Sequence, residues 1–160
     1  MVCCGGAGWD DALQATYVNG ARLDEYILMN RDSTNYWYME SAIIGNVAAL
    51  VNSNGAIQEG YTYRGYGQAT VHTGAGNDGV WFTSDDATAA CSALGNPYLF
   101  TGRDWDSTIS LQYNRARWYA PIPGRWLSRD ALGYLVVSRV FVSRVGSKPA
   151  TRGRVKTSQV

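Results

Sequence analysis

The chain has 160 residues, a formal net charge of +1, and many glycine (18), tyrosine (11) and tryptophan (6) residues. This length fits one ordinary domain, and no apolar run is long enough for a transmembrane helix. The small net charge argues against a bulk electrostatic partner, so nucleic acid is not an expected partner. Aromatic and β-branched residues favour half-buried strands and glycine favours turns. The composition therefore predicts an all-β fold of short antiparallel strands and hairpins.

Residues 1–15 are rich in glycine and small side chains and are predicted to be an irregular lead-in. They lack the basic head and apolar stretch of a secretory signal peptide. Cys3, Cys4 and Cys91 have no metal-ligand spacing, so neither zinc nor another cofactor is predicted. Adjacent cysteines rarely close a good disulfide, so one bridge to Cys91 is the most that is expected, and free thiols are the preferred interpretation.

Short strand candidates alternate with turn residues from residue 16 onward. Strands are predicted at 17–18, 23–29 and 36–39, with a turn at Asn19-Gly20, a dipeptide that accepts positive φ. The clearest hairpin joins residues 47–51 to residues 56–63. Its four-residue connection, Asn-Ser-Asn-Gly, holds an Asn-Gly pair between two strand-like runs, which is a strong local signal.

Residues 74–95 are predicted to be a surface insertion loop. Asn77, Asp78, Asp85 and Asp86 offer the oxygen ligands that Ca²⁺ prefers, but the spacing does not follow the EF-hand pattern. A solvated loop is therefore preferred to a Ca²⁺ site. His72, the single histidine, is expected to be packed or solvated, because a lone histidine in a strand is more often structural than catalytic.

Residues 96–134 have aromatic side chains every two or three positions, together with five arginines. Strands are predicted at 98–102, 111–119 and 125–128, with turns at 104–110 and 120–124. Arg115 and Arg117 flank one residue and would share a strand face. The aromatic side chains are expected to pack against those of neighbouring strands rather than to bind sugars.

This segment, NPYLFTGRDWDSTISLQYNRARWYAPIPGRWLSRDALGY, resembles the core of the RHS (rearrangement hot spot) repeat-associated family. Residues 16–73 resemble degenerate YD-repeat hairpins of the same family: Tyr61, Tyr63 and Gly67 match the repeat signature, and Arg64 replaces its aspartate. The Gly-Asn and Gly-Gln pairs that begin at Gly45 and Gly67 lie 22 positions apart, close to the repeat period.

The resemblance implies a β-rich cocoon wall, of which this chain would be a piece of a larger shell. The implied function is structural: the shell encloses a C-terminal toxin or effector, at a secreted or cell-surface location. The implied partners are upstream YD repeats and the enclosed effector. Alone, such a piece would leave an open strand edge, so self-association is expected.

The family also has a self-cleaving end that uses two aspartates, one as acid and one as base. By resemblance Asp130 corresponds to the first aspartate and Arg129 to the basic residue beside it. No Asp or Glu follows Asp130, and residues 131–160 hold six basic side chains, so residues 135–160 are treated as a basic degenerate tail. Because an arginine stays protonated and cannot act as a base, the chain is expected not to cleave itself.

Three alternatives remain open from the sequence. One is an active aspartic autoprotease, and another is a surface module that binds carbohydrate or Ca²⁺. The third is a degenerate remnant without activity, because four positions depart from the family pattern: Arg64, Ser110, Ala120 and Ala131.

Overall fold

The computed structural model describes residues 15–41 and 44–130. Eleven strands and one short 3₁₀ helix account for its regular structure. The strands are β1 Thr16–Asn19, β2 Tyr26–Arg31, β3 Thr34–Glu40, β4 Val47–Val51, β5 Ile57–Tyr63, β6 Ala69–Gly74, β7 Ala87–Ala89, β8 Asp104–Asp106, β9 Leu111–Asn114, β10 Arg117–Ala120 and β11 Arg125–Trp126, and the 3₁₀ helix is Phe100–Gly102. All lie within the unit Met1–Ser128, while Arg129 and Asp130 belong to a second unit, Arg129–Val160.

The strands form two antiparallel sheets, so the predicted all-β fold is confirmed. The first sheet has seven strands in chain order, β1 to β7, each paired with the strand before it. The second has four strands in the order β11-β10-β9-β8. Every connection between neighbours is a hairpin or a longer loop, as expected for strands that follow one another in an antiparallel meander.

The hairpin predicted in the middle of the chain is confirmed as β4 and β5. The backbone N–H of Asn52 donates to the carbonyl of Ala56 at 3.0 Å, and the Asn52 side-chain oxygen accepts from the N–H groups of Asn54 and Ala56. Gly55 adopts a φ of 78°, a conformation that a residue with a Cβ atom rarely accepts. Asn52 thus closes the turn with its hydrogen bonds, and Gly55 supplies the positive φ that the turn requires.

Asn19-Gly20 does not form the predicted tight turn. Asn19 pairs instead with Tyr26, and the Gly20 N–H donates to the carbonyl of Glu25, so a six-residue connection separates the strands. The predicted strand 23–29 therefore begins only at Tyr26, and Leu23 is 73% exposed. The Glu25 carboxylate stabilises this longer loop, because it accepts from the backbone N–H of Arg22 and pairs with the Arg22 guanidinium at 2.7 Å.

The second half of the chain departs further from the predicted strands. Residues 98–102 contain a single β-bridge at Tyr98 and the 3₁₀ helix, whose Thr101 has a φ of 54°, instead of a strand. The predicted turn 104–110 contains β8, and the predicted strand 111–119 is divided into β9 and β10 by a turn. The predicted insertion loop 74–95 includes β7, which pairs with β6.

The core lies between the sheet and the segment that follows β7. Its buried cluster consists of Met29, Tyr38, Val47, Leu50, Tyr61, Val71 and Leu99. Tyrosines on successive strands extend this cluster: Tyr26 stacks on Tyr98 with ring centroids 3.8 Å apart, and Tyr17 meets Tyr98 edge to face at 5.1 Å. Aromatic side chains on paired strands also pack against one another, as between Tyr17 and Tyr26, whose ring centroids are 6.2 Å apart.

A chain of buried polar side chains ties residues 92–96 to the sheet. The Glu59 carboxylate is 1% exposed and accepts hydrogen bonds from the Tyr61 hydroxyl at 2.6 Å, the Ser92 hydroxyl at 2.5 Å and the Ala93 N–H at 2.7 Å. The Asn96 amide in turn donates to the Tyr61 oxygen at 3.0 Å. Burial, followed by the nearby Glu59 carboxylate, raises the pKa of Tyr61 well above its usual value, so its hydroxyl stays a donor.

Replacement of Glu59 tests this polar chain. Glu59→Ala leaves three buried donors without their acceptor, and each such donor costs about 1–3 kcal/mol, so we expect the free energy of unfolding to fall by about 3 kcal/mol or more. Glu59→Gln keeps one oxygen acceptor and is expected to cost less. Urea unfolding measures both effects.

Gln58→Ala, on the exposed face of the same strand, is the matched control for Glu59→Ala. A surface substitution of this kind should change the free energy of unfolding by no more than about 0.5 kcal/mol. Equal losses in Glu59→Ala and Gln58→Ala would contradict the structural role given to the buried carboxylate.

Candidate functional site

The residues assigned by resemblance to self-cleavage lie at the end of the described chain. Arg129 and Asp130 are both exposed and are the last two described residues. The basic tail 135–160 lies outside the described residues, as do the lead-in 1–14, Cys3 and Cys4; Cys91 is 7% exposed. Two other acids of the core motif, Asp104 and Asp106, lie on β8.

The acidic residues considered for Ca²⁺ serve the loop itself. The Asp85 carboxylate accepts from the Asn77 N–H at 2.9 Å and from the Thr83 hydroxyl at 2.6 Å, and the Asp78 carboxylate accepts from the Val80 N–H at 2.8 Å. Within residues 15–41 and 44–130, no three His, Cys, Asp or Glu side chains are grouped to hold a metal ion. The Asp85 and Asp78 carboxylates therefore stabilise the turns of their own loop.

Asp86 belongs to a different arrangement, which joins this loop to the sheet. Its carboxylate accepts from the ring of His72 at 2.8 Å, and the other ring nitrogen of His72 lies 2.9 Å from the Thr62 hydroxyl. The same carboxylate accepts from the N–H of Phe82 at 2.7 Å and from the hydroxyl of Thr83 at 2.9 Å. Carboxylate, imidazole and hydroxyl thus form a continuous hydrogen-bonded row across β5 and β6.

Electrostatics favour the ionised form of Asp86. Burial acts to raise the pKa of its carboxyl, but the hydrogen bonds from Phe82, Thr83 and His72 outweigh burial and hold the pKa below its usual value. A carboxylate that accepts several hydrogen bonds is also well suited to fix the orientation of an imidazole ring.

The order Thr62, His72, Asp86 matches the connectivity of a hydroxyl–imidazole–carboxylate triad. Triad chemistry additionally requires donors for an oxyanion and a cleft at the nucleophile. The clefts of about 400 and 420 Å³ that the described residues line do not include these three side chains. We therefore assign the row to structure: it fastens the loop that ends at Asp86 to the face of β6.

His72 is packed, which is one of the two states expected from the sequence, but its partners were not foreseen. Thr62 and His72 lie on paired neighbouring strands, with Thr62 opposite Thr70, whereas Asp86 reaches His72 from a loop 14 residues further along the chain. The only signal in the sequence was the Asp85-Asp86 pair, which was considered as a source of metal ligands. Nothing in its spacing indicates a histidine on another strand.

A second ion-pair cluster joins the β1–β2 connection to the second sheet. The Asp24 carboxylate pairs with the Arg103 guanidinium at 2.8 Å and with the Arg115 guanidinium at 2.6 Å. Both Asp24 and Arg115 have positive φ, at 59° and 60°, so each occupies a tight turn position. Close packing extends to the backbone: a Cβ atom on Gly102 would lie 2.3 Å from the Asp24 carbonyl oxygen.

This geometry corrects the prediction for Arg115 and Arg117. They do not share a strand face, because Arg115 lies in the turn between β9 and β10 and points to Asp24. Arg117 begins β10, and its guanidinium lies 4.3 Å from the centroid of the Trp126 ring. The two arginines therefore have separate structural roles.

Comparison with known proteins finds similarity over part of the chain. No family model matches the chain. The Escherichia coli (strain K12) protein YlbH, whose name describes it as uncharacterized, is 40% identical over 40 residues. That match covers 25% of this chain and 17% of YlbH, so the chain spans far less than two thirds of this relative. Among the residues that the structure describes, no helix is long and apolar enough to cross a membrane.

The hydrogen bonds of the Asp86 carboxylate predict how the stability of the protein changes in acid. Because the folded-state pKa of Asp86 is lowered, its contribution is present above about pH 4, the usual pKa of an aspartate, and is lost as the pH falls through the lower folded value. We expect Asp86→Asn to lower the thermal midpoint at neutral pH, and the difference from the parent chain to narrow in acid. Calorimetry over a pH series measures this.

Asp32→Asn is the control for Asp86→Asn, because the Asp32 side chain is 91% exposed. It should leave the thermal midpoint nearly unchanged at every pH. If the difference in thermal midpoint between Asp86→Asn and the parent chain stayed constant as the pH fell, the ionised carboxylate would not be the stabilising species.

Proposed function

We propose that this chain is a wall segment of an RHS-type shell that encloses a C-terminal toxin or effector. The observation that carries the proposal is the seven-stranded meander, in which every strand pairs with the one before it in sequence. A wall of this kind grows by adding strands to an edge, so it can be extended by repeats that precede or follow in a longer protein. The partners would be upstream YD repeats and the enclosed effector, at a secreted or cell-surface location.

The packing of the sheet supports this role. Tyr17, Tyr26 and Tyr38 lie on consecutive strands, with ring contacts of 6.2 Å between the first two and 5.7 Å between the last two. Each aromatic ring therefore packs against the neighbouring strand's ring. Side chains used in this way stabilise a stack of strands and are not available to a substrate.

The polar groups of the first sheet and of its loops also support a structural role. The buried carboxylates of Glu59 and Asp86 each accept several hydrogen bonds from their own chain, and Asp24 pairs with two arginines. Groups held in this way contribute to rigidity, and a shell needs rigid walls more than it needs reactive side chains. The self-cleaving alternative would need a second carboxylate, and no Asp or Glu follows Asp130 in this sequence.

The open edge of the wall gives a direct test. No described strand pairs with the outer side of β1, and the side chain of Val18 on that strand is 51% exposed. An unpaired edge associates with another edge, and a lysine on it blocks this contact. We expect the parent chain to self-associate as its concentration rises, and Val18→Lys to stay monomeric under the same conditions, as measured by sedimentation velocity.

Ile122→Lys adds the same charge and removes an apolar side chain that is 66% exposed, but in the turn before β11. It should associate like the parent chain. If Val18→Lys and Ile122→Lys both stayed monomeric, the added charge and not the position on β1 would be what prevents self-association. A parent chain that stays monomeric and unfolds sharply on heating would contradict the proposed open wall.

The self-cleaving alternative is tested by intact mass. With arginine and lysine as the only charged side chains after Asp130, no base is available in that segment, so we expect the mass of the purified chain to stay constant over a day. Asp130→Asn provides the comparison. Loss of a C-terminal fragment from the parent chain, but not from Asp130→Asn, would show that an aspartic autoprotease is active.

A further inference from the structure

We propose that one face of the second sheet is a binding site for the arginine side chain of another polypeptide. The site is a groove of about 420 Å³, within the range of ligand pockets. Its lining includes Tyr113, Trp118, Asp104 and Asp106, and also Trp105, which alternates with the two aspartates on β8 and packs against the core cluster. This inference concerns a different surface from the wall edge and does not depend on the shell proposal.

The strand register places the key side chains in one row. Asp104 on β8 is opposite Tyr113 on β9, and Tyr113 is opposite Trp118 on β10. Residues directly opposite each other in antiparallel strands project from the same face, and Asp106 shares this face because it lies two positions from Asp104. The Tyr113 and Trp118 rings have centroids 5.1 Å apart, and Tyr113 is 40% exposed.

The two carboxylates leave oxygen atoms for a ligand. Among the described residues, none donates a hydrogen bond to the Asp104 side chain. Asp106 uses one oxygen, Oδ1, to accept from the N–H groups of Thr108 and Ile109 at 2.9 and 3.3 Å, and no described donor contacts its other oxygen. This differs from Glu59, Asp86 and Asp24, whose carboxylates are engaged by their own chain.

The electrostatic surroundings favour a cationic ligand. No arginine or lysine is among the described residues that line the groove. Burial, followed by the nearby Asp24 carboxylate, raises the pKa of Asp104, and Arg103 offsets only part of this effect. A cation placed between Asp104 and the aromatic rings would therefore relieve an unfavourable negative charge and gain a cation–π contact.

A guanidinium fits better than an ammonium. It is planar, so it stacks on an indole or phenol ring while its N–H groups donate in a fork to a carboxylate. The same sheet already contains one such pair on its opposite face, where the Arg117 guanidinium lies 4.3 Å from the Trp126 ring centroid. The groove has the aromatic and carboxylate groups for this contact but no arginine among its described residues.

The test uses a capped Gly-Arg-Gly tripeptide and its Gly-citrulline-Gly counterpart, which keeps the shape and hydrogen-bonding urea but removes the charge. We expect saturable changes in tryptophan fluorescence and in the indole N–H signal of Trp118 with the arginine peptide. Binding of the citrulline peptide should be weaker by about tenfold or more, and added salt should weaken arginine binding. A Gly-Lys-Gly peptide should bind more weakly than the arginine peptide.

Trp118→Ala and Asp104→Asn should each weaken arginine binding by about tenfold. Trp126→Ala is the matched control, because it removes a partly exposed indole from the other face of the same sheet, and it should bind like the parent chain. Circular dichroism verifies that each variant is folded. If Trp118→Ala does not fold, the arginine–citrulline comparison and Asp104→Asn decide the question.

Two outcomes would overturn the proposal. One is equal binding of the arginine and citrulline peptides, or no saturable binding of either peptide by the parent chain. The other is an unchanged affinity in folded Trp118→Ala and Asp104→Asn, or a loss in Trp126→Ala as large as in Trp118→Ala, which would place any binding elsewhere.

Discussion

The buried hydrogen-bonded row from Glu59 through Tyr61 and Asn96 to Tyr38 is the constraint on which the rest of the structure depends. A carboxylate without partners in this position would cost several kcal/mol, so every donor around it must be in place when the chain folds. Asn96 meets this condition on all sides: its side-chain oxygen accepts from the Tyr38 hydroxyl at 2.8 Å and from the Tyr98 N–H at 3.0 Å. The row therefore fixes the place where the chain leaves the first sheet and where the second sheet begins.

The position of the second sheet's first strand follows from this anchor. The Leu99 carbonyl accepts a hydrogen bond from the Val47 N–H at 3.1 Å, so the backbone after Tyr98 is held against β4. The Trp105 N–H then donates to the carbonyl of Pro97 at 2.7 Å, which sets the start of β8. Asp24 completes the arrangement from the β1–β2 connection by pairing with Arg103.

Local chemistry determined which elements could be predicted from the sequence. The β4–β5 hairpin was predictable because Asn52 and Gly55 close their own turn without help from distant residues. The Asn19-Gly20 turn was not, because Glu25 stabilises a longer loop that the dipeptide alone does not reveal. The His72–Asp86 contact could not be predicted at all, since it joins a strand to a loop through tertiary packing. The same reason applies to Asp24 and Arg115, which are 91 residues apart.

The acidic side chains differ between the two sheets in how far their own chain engages them with hydrogen bonds. Glu59 on β5 and Asp86 in the loop before β7 are buried, and their carboxylates accept several hydrogen bonds from their own chain. On the second sheet, Asp104 is exposed and Asp106 uses one oxygen for its own turn, and both line a groove with Tyr113 and Trp118. Because Asp104 is exposed, its carboxylate is solvated in the free chain and stays accessible to a cationic ligand. The two proposals thus give the sheets separate roles: further strands extend the first sheet, and the second binds a polypeptide.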